Sequence, residues 1–176
     1  MRYISPNNRL EYLIREAEKN KPLAEGSSLL VFPHPFNNKL VIKRYRGKVT
    51  FASFSPLGIV FYENEEDLEK KFQFLNLLIS TYPHLKDFID LPYVIINLEG
   101  TYYTINRRGI PLNQMPKNEH VLNLLKTCRK AFSDAAVCFP EEDEDLSCYL
   151  YIVYLNRVVR TDIHSNDLPY CGTRIL

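Results

Sequence analysis

The chain has 176 residues, 45% of them hydrophobic and 24% charged, with a net charge of +1. That balance excludes a disordered chain, which needs low hydrophobicity and high net charge, and it gives no overall pull toward nucleic acid or an anionic membrane. A chain of this length buries about 70% of the surface its unfolded form exposes, so it needs no staples, and its four cysteines form no CxxC pair of the zinc or redox kind.

In chain order, Ser5-Pro6 reads as a helix N-cap followed by proline at the first helical position. Leu10, Leu13, Ile14 and Ala17 then share one face, and Pro22 stops the helix. Ser28 to Phe32 is a short apolar strand, broken by Pro33 and Pro35. Lys39 to Arg46 and Lys48 to Phe54 read as two strands of a meander joined at Arg46-Gly47. Ser55-Pro56-Leu57-Gly58 has β-turn chemistry, and Ile59 to Tyr62 continues the meander. Asn64 caps a second helix in which Leu68, Phe72, Leu75, Ile79 and Tyr82 recur at helical offsets. Two β-branched runs, Tyr93 to Leu98 and Thr101 to Ile105, flank Glu99-Gly100 as a hairpin. Asn118 caps a third helix with Val121, Leu125, Cys128 and Phe132 on its core face. Glu141 to Asp145 is an acidic loop, Ser147 to Val159 a long strand, and the tail from about Thr161 is irregular.

Strands run together between helices, which predicts an α+β fold over residues 1–176 as a single domain. Its sheet is mostly antiparallel, built from meander, hairpin and C-terminal strand, and packed by three helices. The element order from Ser5 to Ser133 is similar to that of class I type III secretion chaperones, although no residue motif carries the likeness. The resemblance implies a small homodimer that holds a segment of another protein; it transfers no residue. The near-neutral charge and the additional C-terminal strand depart from that family.

The sharpest surface signal is charge asymmetry. Between Gly26 and Tyr62 there is no Asp or Glu, while Lys39, Lys43, Arg44, Arg46 and Lys48 are present and Tyr45 interleaves. Arg107, Arg108 and Arg129 extend the set if folding brings them near. A basic face with aromatics suits docking on an acidic protein surface or tracking a nucleic-acid backbone. The bland alternative is a solvated hairpin whose lysines discourage edge pairing.

Other constellations are weaker. The acidic run lacks the spacing and glycine of a calcium loop. Asp162, His164, Asp167 and Cys171 have ligand or nucleophile chemistry but lie in the irregular tail. His34 sits between two prolines as a rigid loop residue. No GxGxxG, GxxxxGK[ST], GxSxG or HExxH occurs. No cofactor or metal is therefore expected. The polar start has no signal-peptide core, and no apolar run reaches the roughly 18 residues of a membrane span. Those two features predict a cytoplasmic or otherwise intracellular protein without membrane insertion. The leading expectation is a non-enzymatic interaction protein, viral or accessory, with an acidic protein partner and a homodimer left open. A nucleic-acid binder is second and an enzyme of unrecognised class third.

Overall fold

A computed structural model describes residues 2–26, 29–45, 50–55, 58–63, 66–116, 118–135 and 146–161. Within these, residues 2–3, 50–55, 58–63, 66–71 and 74 are described by their backbone alone. The elements in order are β1 (Arg2–Tyr3), α1 (Asn8–Glu18), β2 (Ala24–Glu25), β3 (Leu29–Pro33), β4 (Leu40–Tyr45), β5 (Thr50–Ser55), β6 (Gly58–Glu63) and α2 (Glu66–Thr81). They continue with β7 (Val94–Leu98), β8 (Thr101–Arg107), β9 (Ile110–Pro111), α3 (Glu119–Asp134), β10 (Tyr149–Ile152) and β11 (Arg157–Arg160). The fold is α+β: three α-helices and mostly antiparallel sheet among the described residues.

The chain divides into two compact units. The first comprises residues 1–70 and 91–108, the second residues 71–90 and 109–176.

In the first unit a six-stranded sheet runs β1-β7-β8-β4-β3-β2. The β1–β7 pair is parallel and the others are antiparallel. Helix α1 covers one face, with Ile14 and Ala17 packed among Phe32, Ile42, Ile96, Tyr103 and Ile105. Its stripe is the one the 3.6-residue period predicts. Its cap is Asn7 rather than Ser5, because the Asn7 carboxamide oxygen accepts from both Arg9 N and Leu10 N, at 3.1 and 3.0 Å. The opposite face of the sheet is buried too: Val41, Ile95, Thr104 and Asn106 are all enclosed. Thr104 Oγ1 and Asn106 Oδ1 meet there at 2.7 Å, which satisfies polar groups that burial would otherwise penalise.

Among the described residues the expected meander is split in two: β3 pairs with β4 and β5 with β6, both antiparallel, but β4 and β5 do not pair. β4 pairs with β3 and β8, while β5 and β6 make a separate two-stranded ribbon. The reason is hydrophobic: a strand reading Leu-Val-Ile is apolar on both faces and gains most as a central strand. The ribbon closes between Ser55 and Gly58. The expected turn residues Arg46-Gly47 and Pro56-Leu57 lie outside the described set, as does the Asn64 cap.

The hairpin at Glu99-Gly100 is formed as predicted. Both residues have positive φ, 51° and 82°, the signature of a two-residue turn whose twist matches its strands. Asn97 Oδ1 accepts from Gly100 N at 3.0 Å.

In the second unit a three-stranded sheet runs β11-β10-β9, beside α3. The α3 face is the predicted one, with Val121, Leu125, Cys128 and Phe132 all buried and Asn118 capping Val121 N at 2.9 Å. Among the α2 residues whose side chains are described, Phe72, Leu75 and Leu78 are buried and Ile79 is half-buried; the expected Leu68 lies outside them. The long C-terminal strand is corrected to a hairpin. A turn at Val153–Asn156 divides β10 from β11, and Asn156 takes a left-handed φ of 48°. Tyr151 OH donates to Asn156 Oδ1 at 2.8 Å, and His120 Nε2 meets the same oxygen at 2.8 Å. These bonds hold asparagine in a conformation that it tolerates better than most residues.

Candidate docking surface

The alternation of β4 separates the residues that its sequence lists side by side. Leu40, Ile42 and Arg44 face α1, and Val41, Lys43 and Tyr45 face the other way. Arg44 is already engaged: its Nη1 lies 3.3 Å from Glu18 Oε1. Tyr103 OH donates to that same oxygen at 3.0 Å. Burial and then Glu18 push the Tyr103 phenol up to about 12. Lys43 and Tyr45 are half-buried. The strand is thus a central structural element with its charges on opposite sides, not one basic face. Arg46 and Lys48 lie outside the described residues.

Arg129 belongs to the second unit. It is exposed on α3, with its guanidinium 5.7 Å from the Tyr149 ring centre. Arg160 lies at 5.2 Å from the same ring and donates to Tyr149 OH at 2.9 Å. Arg160 is almost fully buried. Its backbone is held by Arg160 N to Phe88 O and Asp90 N to Arg160 O, at 2.8 and 2.9 Å. This cluster organises the core of that unit. Cys128 lies in the same core, its thiol pushed up to about 12 by burial, against the opposing pull of Arg160 and Arg129. An inert buried thiol follows from such a setting.

Lys39, Arg107 and Arg108 do converge. The register sets Leu40 opposite Arg107, and Arg108 N donates to Lys39 O at 2.8 Å. Tyr93 starts the neighbouring strand, with its amide on Ile105 O at 2.8 Å. Arg107 lies 5.8 Å from the Tyr93 ring centre and its Nε donates to Tyr93 OH at 3.2 Å. These residues occupy one end of the first unit's sheet.

The turn between β3 and β4 closes that same end and carries aromatics. Phe36 is 68% exposed and Tyr12 of α1 56%. Their rings stack at 6.3 Å with 16° between planes. Leu77 and Val153 are as exposed as Tyr12; what sets Phe36 and Tyr12 apart is that two exposed rings lie against each other beside the cations of this end. His34 stands edge-on to Phe36 at 6.4 Å, and its Nδ1 accepts from Phe36 N at 3.2 Å. Asn37 Oδ1 accepts from Lys39 N at 2.9 Å, so two side chains shape the turn. The segments that build this end, residues 34–39, 92–94 and 105–108, contain no Asp or Glu.

Sequence reading found Lys39, Arg107 and Arg108 by charge and His34 by its prolines, but missed Tyr12, Phe36 and Tyr93. A signal for two of them was present. Tyr12 falls off the Leu10–Leu13–Ile14–Ala17 stripe, and Phe36 sits in a Pro-bounded turn where no core strand can continue.

The acidic run Glu141–Asp145 and the Asp162, His164, Asp167 and Cys171 set lie outside the described residues. Among the described residues no group of three His, Cys, Asp or Glu side chains could hold a metal ion, and no helix is long and apolar enough to cross a membrane. No protein-family model matches the chain, and comparison with curated proteins gives no match.

Proposed function

We propose that this chain is a non-enzymatic protein-interaction module of inhibitor, chaperone-like or assembly type. It docks an acidic partner through the sheet end that carries Arg107, Arg108 and Lys39 beside Tyr12, Phe36 and Tyr93. The observation that supports this reading is the convergence of cations and exposed aromatics, from four separate stretches of sequence, on one end of the sheet whose strand and turn segments contain no carboxylate. Aromatic and arginine side chains dominate binding energy at protein interfaces, and a single-sign rim selects partners of opposite charge. Three cations beside a pair of rings make a short track for a phosphate backbone, so protein docking is favoured over nucleic acid.

The test uses peptides selected from a phage-displayed library on the wild-type chain. The selected set should be rich in Asp and Glu around an apolar anchor. Arg108→Glu and Phe36→Ala should each weaken binding about tenfold, the equivalent of about 1.4 kcal/mol, with unchanged circular dichroism. Wild-type binding by both variants removes the surface. Tight binding of a single-stranded oligonucleotide, falling steeply with salt, replaces the protein reading with the nucleic-acid one.

A further inference from the structure

We infer that His34 is a proton-operated latch on the Phe36 turn: the neutral ring holds the Phe36 amide and keeps Phe36 stacked on Tyr12, and the protonated ring lets it go. The geometry is specific. Nδ1 lies 3.2 Å from Phe36 N, which is a donor. Only an unprotonated Nδ1 can accept that bond, so the neutral ring carries its hydrogen on Nε2. A second proton turns Nδ1 into a donor facing a donor, and the bond is lost. The Phe36 ring rests edge-on against His34 and face-on against Tyr12, so the amide that moves carries the more exposed half of the aromatic pair. The flanking Pro33 and Pro35 narrow the backbone's alternatives, which leaves the residues after Pro35 to absorb the change.

Burial, not a neighbouring charge, favours the neutral ring. On the turn itself the charged group is Lys39. On the neighbouring strand end stand Arg107 and Arg108. From α1 the titratable groups of the first two turns are Arg9, Glu11, Tyr12 and Arg15; Tyr12 stacks on the loop, and Glu11 is paired with Arg15 at 4.0 Å. Among the described residues no carboxylate bonds the His34 ring. Burial holds its proton affinity below the ordinary 6.5, against its own backbone bond, which acts the other way. The sign follows: the unfolded ring takes up a proton first as pH falls. The stability that His34 carries is therefore fully present above pH 6.5 and is lost as pH falls below it. The latch itself does not depend on docking; its regulation of docking rests on the function proposed above.

The chain contains no tryptophan, so Phe36→Trp creates a single-tryptophan reporter at an exposed position. Its emission should change between pH 8 and pH 5 with one midpoint below the ordinary 6.5 of histidine. Adding His34→Asn should abolish that change, since an Asn oxygen accepts the amide two residues on, as Asn37 does, without titrating. In the unmodified chain, nitrogen NMR of His34 at pH 8 should show the Nε2–H tautomer. A titration that persists in His34→Asn, or an Nδ1–H tautomer, overturns the latch. Binding of a selected acidic peptide at pH 7.5 and 5.5 separates the two ideas. Emission that titrates in a chain binding no peptide sinks docking alone, and peptide binding without titrating emission sinks the latch alone.

Discussion

Glu99 shows how a single backbone angle can be worth more than its side chain. It occupies the first turn position of the β7–β8 hairpin with φ 51°, beside Gly100 at 82°. The left-handed region costs an ordinary L-residue roughly 1–2 kcal/mol, and asparagine tolerates it. Asn-Gly is the preferred pair for this turn. Glu99→Asn should therefore stabilise the chain by roughly 0.5–1 kcal/mol, read as a higher urea midpoint at an unchanged slope. An unchanged midpoint would mean that Glu99 gains from its charge what it loses in its backbone. Arg44 illustrates the converse, a side chain whose role is set by one neighbour. Its charge lies 3.3 Å from Glu18, so reversing it would set two carboxylates together and disturb packing on α1. For that reason Arg108, exposed at the sheet end, is the informative position for testing docking.

At the scale of elements, the contact between β9 and β10 depends on the absence of one atom. A Cβ added at Gly109 would meet Leu150 Cβ and Ile152 Cδ1, each at 2.8 Å, and Tyr151 O at 3.2 Å. The isoleucine tip can yield, but Leu150 Cβ is fixed by its backbone and that strand is paired on both sides, with β9 and β11. Gly109→Ala should cost about 1–3 kcal/mol through overpacking, with the loss in the second unit's thermal or denaturant transition. The same scale explains what could be read in advance. The three helices were legible because 3.6-residue periods are local signals; in α3 the cap reads with them, and Asn118 with Val121, Leu125, Cys128 and Phe132 is one continuous message. The Glu99-Gly100 hairpin was legible for the same reason. The partners of β4 were not, because strand pairing is decided by burial of both faces far along the chain, at Val31 and Thr104 alike. The turn at Val153–Asn156 hid because it contains neither Gly nor Pro and reaches its left-handed residue through asparagine. The proposed docking surface was half legible. Charge marked Lys39, Arg107 and Arg108, but their convergence is a matter of register, and the exposed Tyr12–Phe36 pair belongs to the contact of a helix with a turn.

At the scale of the whole chain, each unit holds, among the described residues, an acid whose ionisation opposes folding. In the first unit it is Tyr103, pushed up from 10.0 to about 12 by burial and by Glu18. In the second it is Cys128, pushed up from 9.0 to about 12 by burial. Both are neutral acids with raised proton affinity when folded, so the unfolded chain loses its proton first as pH rises. The stability they carry is full below their unfolded values, and it declines through the interval up to the folded ones. The Cys128 share should begin to fall above pH 9 and the Tyr103 share above pH 10. Denaturant midpoints measured from pH 8 upward should fall in the wild type. Cys128→Ala should be less stable at pH 8, because it leaves a cavity, yet it should show a shallower decline above pH 9. Tyr103→Phe should flatten only the later part of the curve. The two substitutions sit in different units, so probes placed in each unit reveal whether folding is shared. If the chain unfolds in one cooperative step, Cys128→Ala flattens the alkaline decline seen by every probe. If the units unfold separately, it flattens the decline in the second unit alone and leaves that of Tyr103 untouched. A wild-type midpoint constant from pH 8 to 11 would contradict the burial of both groups.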